Sequence, residues 1–108
     1  MDMTIRKIGE KLGVSRRAIQ GYENAGLISA SGKNERGHLL YDETAQERIG
    51  RIKFYQRIGF SIEEITGIID ASDELLKTII KKQLYKLETE KKNIESLIDD
   101  VKKLIEKL

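Results

Sequence analysis

The sequence predicts a mostly α-helical chain interrupted once by a small β-hairpin and finished by one long helix. Three observations predict it. Proline is absent, so no helix is broken by one. Helix-start and helix-stop residues follow one another in series, with a single departure between residues 27 and 41. Residues 72–108 contain neither glycine nor proline and carry a regular apolar stripe.

The elements follow in order. Thr4 caps a first helix whose Ile5, Ile8 and Leu12 share one face, and Gly13 supplies the left-handed residue that ends it. Ser15 caps a second helix, which turns Ile19 and Tyr22 toward the first and ends between Asn24 and Gly26. From Leu27 to Tyr41 the pattern changes: Leu27-Ile28 and Leu39-Leu40-Tyr41 flank a polar stretch from Ser31 to Gly37, which reads as a hairpin with a flexible tip. Asp42 caps a third helix with Ala45, Ile49, Ile52, Tyr55 and Gln56, closing at Gly59. Ser61 and Glu64 form a capping box opening a fourth, with Ile62, Ile65, Ile68 and Ile69, which stops around Asp70-Ala71.

The remainder is a different kind of segment. A continuous helix over residues 72–108 is about 50 Å long at 1.5 Å per residue, more than the short preceding helices can cover. Its apolar positions Ile80, Leu84, Leu87, Ile94, Ile98, Val101, Ile105 and Leu108 step alternately by four and three, with only Lys91 polar in the register. That is the seam of a coiled coil, and the length argues that a second copy covers it. Lys91 either sets the register of that seam or carries its charge out of it along a flexible stem. The domain organisation expected is therefore 1–71 as a folded module and 72–108 as a dimerisation helix.

Composition narrows the function. The 108 residues are 35% charged and 39% hydrophobic, usual for a soluble helical protein. No apolar run approaches the roughly 20 residues of a bilayer span, and Met1 to Glu10 lacks the apolar core of a signal peptide, which places the chain in the cytoplasm. There is no cysteine, so disulfides and thiolate metal sites are excluded. His38, the only histidine, has no second one to share a metal. With no phosphate-cradling glycine loop either, nothing suggests an enzyme, a metal or a cofactor. Residues 1–60 hold eleven Lys and Arg against seven Asp and Glu, a net of +4, whereas the rest nets −2. A polyanion partner therefore belongs to the first half.

The first two helices carry the most specific pattern. Ile5, Ile8, Gly9, Leu12, Gly13, Val14, Ile19 and Tyr22 have helix-turn-helix spacing: Gly9 permits a close helix crossing and Gly13 the turn. The outer face of the second helix then presents Arg16, Arg17 and Gln20, whose guanidinium and amide groups can reach base edges or phosphates. Its capped N-terminus adds partial positive charge. Such helix pairs also occur as plain packing units. Lys33 is a phosphate candidate on the hairpin or merely a solubilising charge, and Phe54 and Tyr55 read as packing residues rather than platforms for bases.

Several stretches in fixed order extend this pattern: Thr4-Ile5-Arg6-Lys7-Ile8-Gly9, Leu12-Gly13-Val14-Ser15, Tyr22-Glu23-Asn24-Ala25-Gly26-Leu27-Ile28, Gly37-His38-Leu39-Leu40-Tyr41 and Ile58-Gly59-Phe60-Ser61-Ile62-Glu63-Glu64-Ile65. Through them the chain resembles the MerR family of bacterial transcription regulators. The resemblance implies a winged helix-turn-helix whose second helix enters the major groove, a hairpin wing on the backbone, and a final helix pairing antiparallel with its mate as a coiled coil. It also implies a homodimer that binds double-stranded promoter DNA, bends and untwists it, and shares the promoter with RNA polymerase. Arg17 and Tyr22 match positions that contact DNA in the family, and Tyr41 matches the aromatic at the wing's end. The chain departs from the pattern at Gln20, often basic, at Gly21, often aromatic, and at His38-Leu39, where Tyr-Arg is usual. Arg36 is placed to replace the missing wing arginine across the turn.

Two other readings compete: an excisionase-like architectural protein of phage or plasmid type, and a coiled-coil adaptor. Larger relatives carry an inducer domain after the dimer helix. Here the sequence stops inside the seam at Leu108, as a short form without an effector domain or as a fragment.

Overall fold

The computed structural model describes residues 1–108 and divides them into two compact units, Met1–Asp70 and Ala71–Leu108. In the first unit the order is β1 (Met3–Thr4), α1 (Ile5–Leu12), α2 (Arg16–Asn24), β2 (Gly32–Lys33), β3 (Leu39–Tyr41), α3 (Glu43–Arg57) and α4 (Ile62–Ile68). The second unit is a single helix, α5 (Asp73–Lys107).

Local chemistry sets the helix starts. The side chains of Thr4, Ser15, Asp42 and Ser61 each accept a hydrogen bond from the backbone N–H three residues on, satisfying a donor that the helix leaves free. At α4 the bond is reciprocal: Glu64 N–H donates to Ser61 Oγ at 3.1 Å and Ser61 N–H donates to Glu64 Oε1 at 3.0 Å. The corner between α1 and α2 rests on two glycines. Gly13 sits at φ 66°, where a side chain is strained, and its N–H donates to the Gly9 carbonyl. A Cβ on Gly9 would lie 2.9 Å from the Val14 carbonyl oxygen, so the close crossing needs its absence.

The core is largely isoleucine. Ile8, Ile19, Ile49, Ile52 and Ile65, one or two from each helix of the unit, are fully buried together with Tyr41. Each such side chain contributes about 1.5–3 kcal/mol from removal of its surface from water. The polar groups inside are all partnered. Gln46, the one buried polar side chain, donates through Nε2 to the Met1 carbonyl at 2.8 Å and the Tyr41 carbonyl at 2.9 Å, tying both outer segments to α3.

The sheet differs from expectation in two ways. It has three strands in the order β1-β3-β2, both pairings antiparallel, with Met3 opposite Tyr41 and Lys33 opposite Leu39. The N-terminal strand was not anticipated. Nor is Leu27-Ile28 an arm of the hairpin: both residues are buried in the irregular segment after α2, and the Leu27 carbonyl accepts a 2.8 Å bond from Arg48 Nε. The real arm, Gly32–Lys33, is polar and exposed. Apolar character there marks core residues and not a strand.

Considered by itself, α5 opens at Ser72, whose Oγ accepts from Leu75 N–H, and runs 35 residues with none of its side chains buried. Along its exposed surface lie Leu84, Leu87, Ile94, Ile98, Val101 and Ile105, together with Leu97 and Leu104, which fall outside the four-and-three spacing.

Candidate nucleic-acid interface

The site is built on α2. With Ile19 and Tyr22 turned inward, helical periodicity leaves Arg16, Arg17 and Gln20 exposed on the other face. The Ser15 cap, Ala18 N–H to Ser15 Oγ at 3.0 Å, directs the helix's partial positive charge to the end that bears the two arginines.

The hairpin tip is tied rather than left loose. Asn34 Oδ1 accepts from Arg36 N–H at 3.0 Å and His38 N–H at 2.9 Å, while Gly37 N–H donates to the Asn34 carbonyl at 3.0 Å. This turn sets the direction of Arg36. Between tip and helices lies an open groove of about 720 Å³ in which Arg16 and Gln20 of α2, Arg36 of the tip and Arg6 and Lys7 of α1 meet. Four cationic side chains line it against one carboxylate, Glu10, which itself lies 3.6 Å from Arg6. Such a concave, cationic surface suits a phosphate backbone.

The structure thus brings Arg16, Gln20 and Arg36 together. Arg17 is exposed on the same helix but outside the groove lining, and Lys33 is exposed on β2, also outside it. Arg6 and Lys7 line the groove as well, a place that the motif around them does not by itself assign. Their signal was available: two adjacent cations in the first turn of α1, where the helix dipole disfavours them, ask for an anionic partner.

Tyr22, which matches a DNA-contacting position of the family, and Tyr41, which matches the aromatic at the wing's end, both place their rings in the core. They are 2% and 1% exposed, core residues with no ring face open to a base. The Tyr22 hydroxyl donates to Gln56 Oε1 at 2.7 Å and the Tyr41 hydroxyl to Glu23 Oε1. Burial raises the pKa of both phenols, and at Tyr41 the neighbouring Glu23 carboxylate raises it further. Tyr55 packs as expected, edge-on to Phe60 with centroids 6.4 Å apart, whereas Phe54 is 54% exposed.

Part of the basic excess of the first sixty residues serves the fold. Arg48 pairs with Asp70 at 2.7 Å, holding that carboxyl below the usual range. Arg51 donates to the Ile69 carbonyl at 2.9 Å and to the Tyr55 hydroxyl. Lys53 Nζ donates to the carbonyls of Leu12 and Gly13, capping the end of α1. These three cations serve the fold, which leaves the exposed ones, those of the groove among them, available to a polyanion.

Comparison with known proteins accounts for this arrangement. Residues 3–72 match the model of the MerR HTH family regulatory proteins, and residues 46–108 match that of the MerR DNA-binding region. The nodulation protein NolA of Bradyrhizobium elkanii is 31% identical over 84 residues, 78% of this chain and 38% of its own length. This chain thus spans about two-fifths of that relative. The crystal structure of MtaN, the N-terminus of the Bacillus subtilis multidrug transporter activator, superposes with a TM-score of 0.77 at 26% identity, covering 95% of this chain and 97% of the other. HiNmlR, a MerR family regulator lacking the sensor domain and solved bound to promoter DNA, shares the fold with a TM-score of 0.68 at 22% identity, covering 92% and 80%. No helix is long and apolar enough to cross a membrane. The family models together cover residues 3–108, and the chain belongs to the MerR family of DNA-binding transcription regulators.

Proposed function

We propose that the protein acts in the cytoplasm as a homodimer on double-stranded promoter DNA, with residues 1–71 gripping the duplex and residues 72–108 joining two copies. Arg16, Arg17 and Gln20 enter the major groove, Arg36 and Lys33 hold the backbone from the wing, and Arg6 and Lys7 add phosphate contacts. The observation that carries this reading is the groove in which α2, the wing tip and the start of α1 supply four cations to one concave surface. A homodimer presents two such surfaces to one duplex, which binds best when bent and untwisted. A promoter with elements out of phase is then realigned for RNA polymerase.

The test selects bound genomic fragments and titrates the recovered duplex at several salt concentrations. Affinity should fall steeply with salt, by one counterion per neutralised phosphate. A transcription assay on the same promoter with a shortened spacer should abolish regulation. Salt-independent binding would remove the groove from the proposal, and regulation insensitive to the spacer would leave an architectural DNA binder.

A further inference from the structure

His38 lines the cationic groove without a part in the reading above. Its backbone is held from both sides: the N–H donates to Asn34 Oδ1 at 2.9 Å, and the carbonyl accepts from Asn34 N–H at 2.9 Å. The side chain is exposed and takes no part in these bonds, so both ring nitrogens are open to a ligand. Charges meet it from every wall of the groove: Arg6, Lys7 and Glu10 from α1, Arg16 from α2 and Arg36 from the hairpin tip. On the hairpin itself, Lys33 and Glu35 are exposed outside the groove lining.

Of these groups only the imidazole changes charge between about pH 6 and pH 8. Arginine and lysine stay charged through that range, and a carboxylate has ionised below it. The terminal amine of Met1, a group type that also titrates near neutral pH, pairs with Glu43 at 2.6 Å and lies outside the groove lining. A phosphate backbone laid in the groove brings negative charge beside the ring, and an opposite charge within about 4–6 Å favours the protonated form. Proton and DNA then strengthen each other's binding by the same factor.

We propose that His38 is a further DNA-contacting residue, whose imidazole takes up a proton as a phosphate backbone enters the groove, so that affinity for duplex DNA rises as pH falls through neutrality. This rests on the DNA-binding reading above and adds to it a residue and a condition. The proton comes from solvent onto the ring nitrogen nearest the phosphate, and the resulting N–H donates to a phosphate oxygen. Because the complex holds the proton more tightly than the free chain does, the extra affinity is in full force below the ordinary imidazole range and is lost as pH rises through it. A roughly tenfold tighter hold on the proton gives about a sixfold gain per groove between pH 8 and pH 6, and about 35-fold for the two grooves of a dimer.

The test titrates a rhodamine-labelled duplex of mixed sequence with the full chain, by anisotropy at constant ionic strength, because backbone contacts form on any sequence. The parent should tighten by about that amount from pH 8 to pH 6. His38→Gln should flatten the dependence. His38→Lys, whose charge does not titrate in this range, should also be flat and should bind more tightly than His38→Gln at about pH 8. Because the chain has one histidine, a single set of imidazole proton resonances reports its titration, and the midpoint should move upward by about one pH unit when the duplex is added. Parent affinity independent of pH, a slope that survives in His38→Gln, or an imidazole midpoint that the duplex leaves in place would overturn the proposal. A parent chain that binds no duplex at either end of the range would instead overturn the DNA-binding reading itself.

Discussion

Gly9 is where the α1–α2 corner is most sensitive to one atom. An alanine at a helical glycine normally gains about 1 kcal/mol of helix propensity. At Gly9 the new Cβ lies 2.9 Å from the Val14 carbonyl oxygen, where 3.4 Å or more is comfortable, and the obstacle is backbone that no rotamer change can move. Val14 is buried and Gly13 bonds back to Gly9, so relief requires displacing the corner itself. Overpacking of this kind costs about 1–3 kcal/mol, which cancels or outweighs the propensity gain. Gly21 is the internal control: it lies inside α2 with nothing within 4 Å of a built Cβ, so Gly21→Ala keeps the gain. Urea or thermal unfolding at one fixed protein concentration should then separate the two variants by about 1–3 kcal/mol, with Gly21→Ala above the parent and Gly9→Ala at or below it. In a domain of this size each kcal/mol moves the midpoint by about 4–8 °C. Equal stabilisation by both alanines would show that the corner has slack and that Gly9 does not set the helix crossing.

Other outcomes follow from the same contacts. Arg17→Ala should cost roughly 1–3 kcal/mol of operator affinity in an anisotropy titration at fixed salt, with an unchanged unfolding midpoint; unchanged affinity removes Arg17 from the interface. Tyr41→Phe leaves the Glu23 carboxylate without its phenol donor and should lower stability by about 0.5–1.5 kcal/mol. The folded state raises both buried phenols, so their contribution is present below the ordinary phenol value and lost as pH rises past it. Tyr41→Phe should accordingly lose less stability than the parent between roughly pH 9 and 11, and identical alkaline profiles would contradict the burial. Asp70 has the opposite sign: Arg48 holds it below the usual carboxylate range, so its contribution is present at neutral pH and lost as pH falls through that range. Asp70→Asn should flatten the acid limb of the stability profile, and a superimposable limb would mean that the exposed pair contributes nothing.

What could be read from the chain is what a few consecutive residues decide. Caps at Thr4, Ser15, Asp42 and Ser61, the left-handed turn at Gly13 and the helical period of the isoleucines act over three or four positions, so their physics is written locally. The outward position of the α2 arginines was legible for the same reason, because turning Ile19 and Tyr22 inward leaves one face outward. Contacts between distant segments were not legible. Two-residue strands such as Met3–Thr4 and Gly32–Lys33 have no period to detect and exist only because β3 offers both of its edges. Lys53 reads as an ordinary surface charge until folding brings it to the carbonyls at the end of α1. Tyr22 and Tyr41 pattern as amphipathic aromatics. It is the approach of Gln56 and Glu23, 34 and 18 residues away, that satisfies their hydroxyls and permits burial. Sequence specifies the helices, their caps and their outward charges because those interactions close within one turn. Tertiary structure alone decided the three-stranded pairing, the partners of the tyrosine hydroxyls and which cations the fold itself uses, because each needs a partner that only the assembled fold brings within hydrogen-bonding reach.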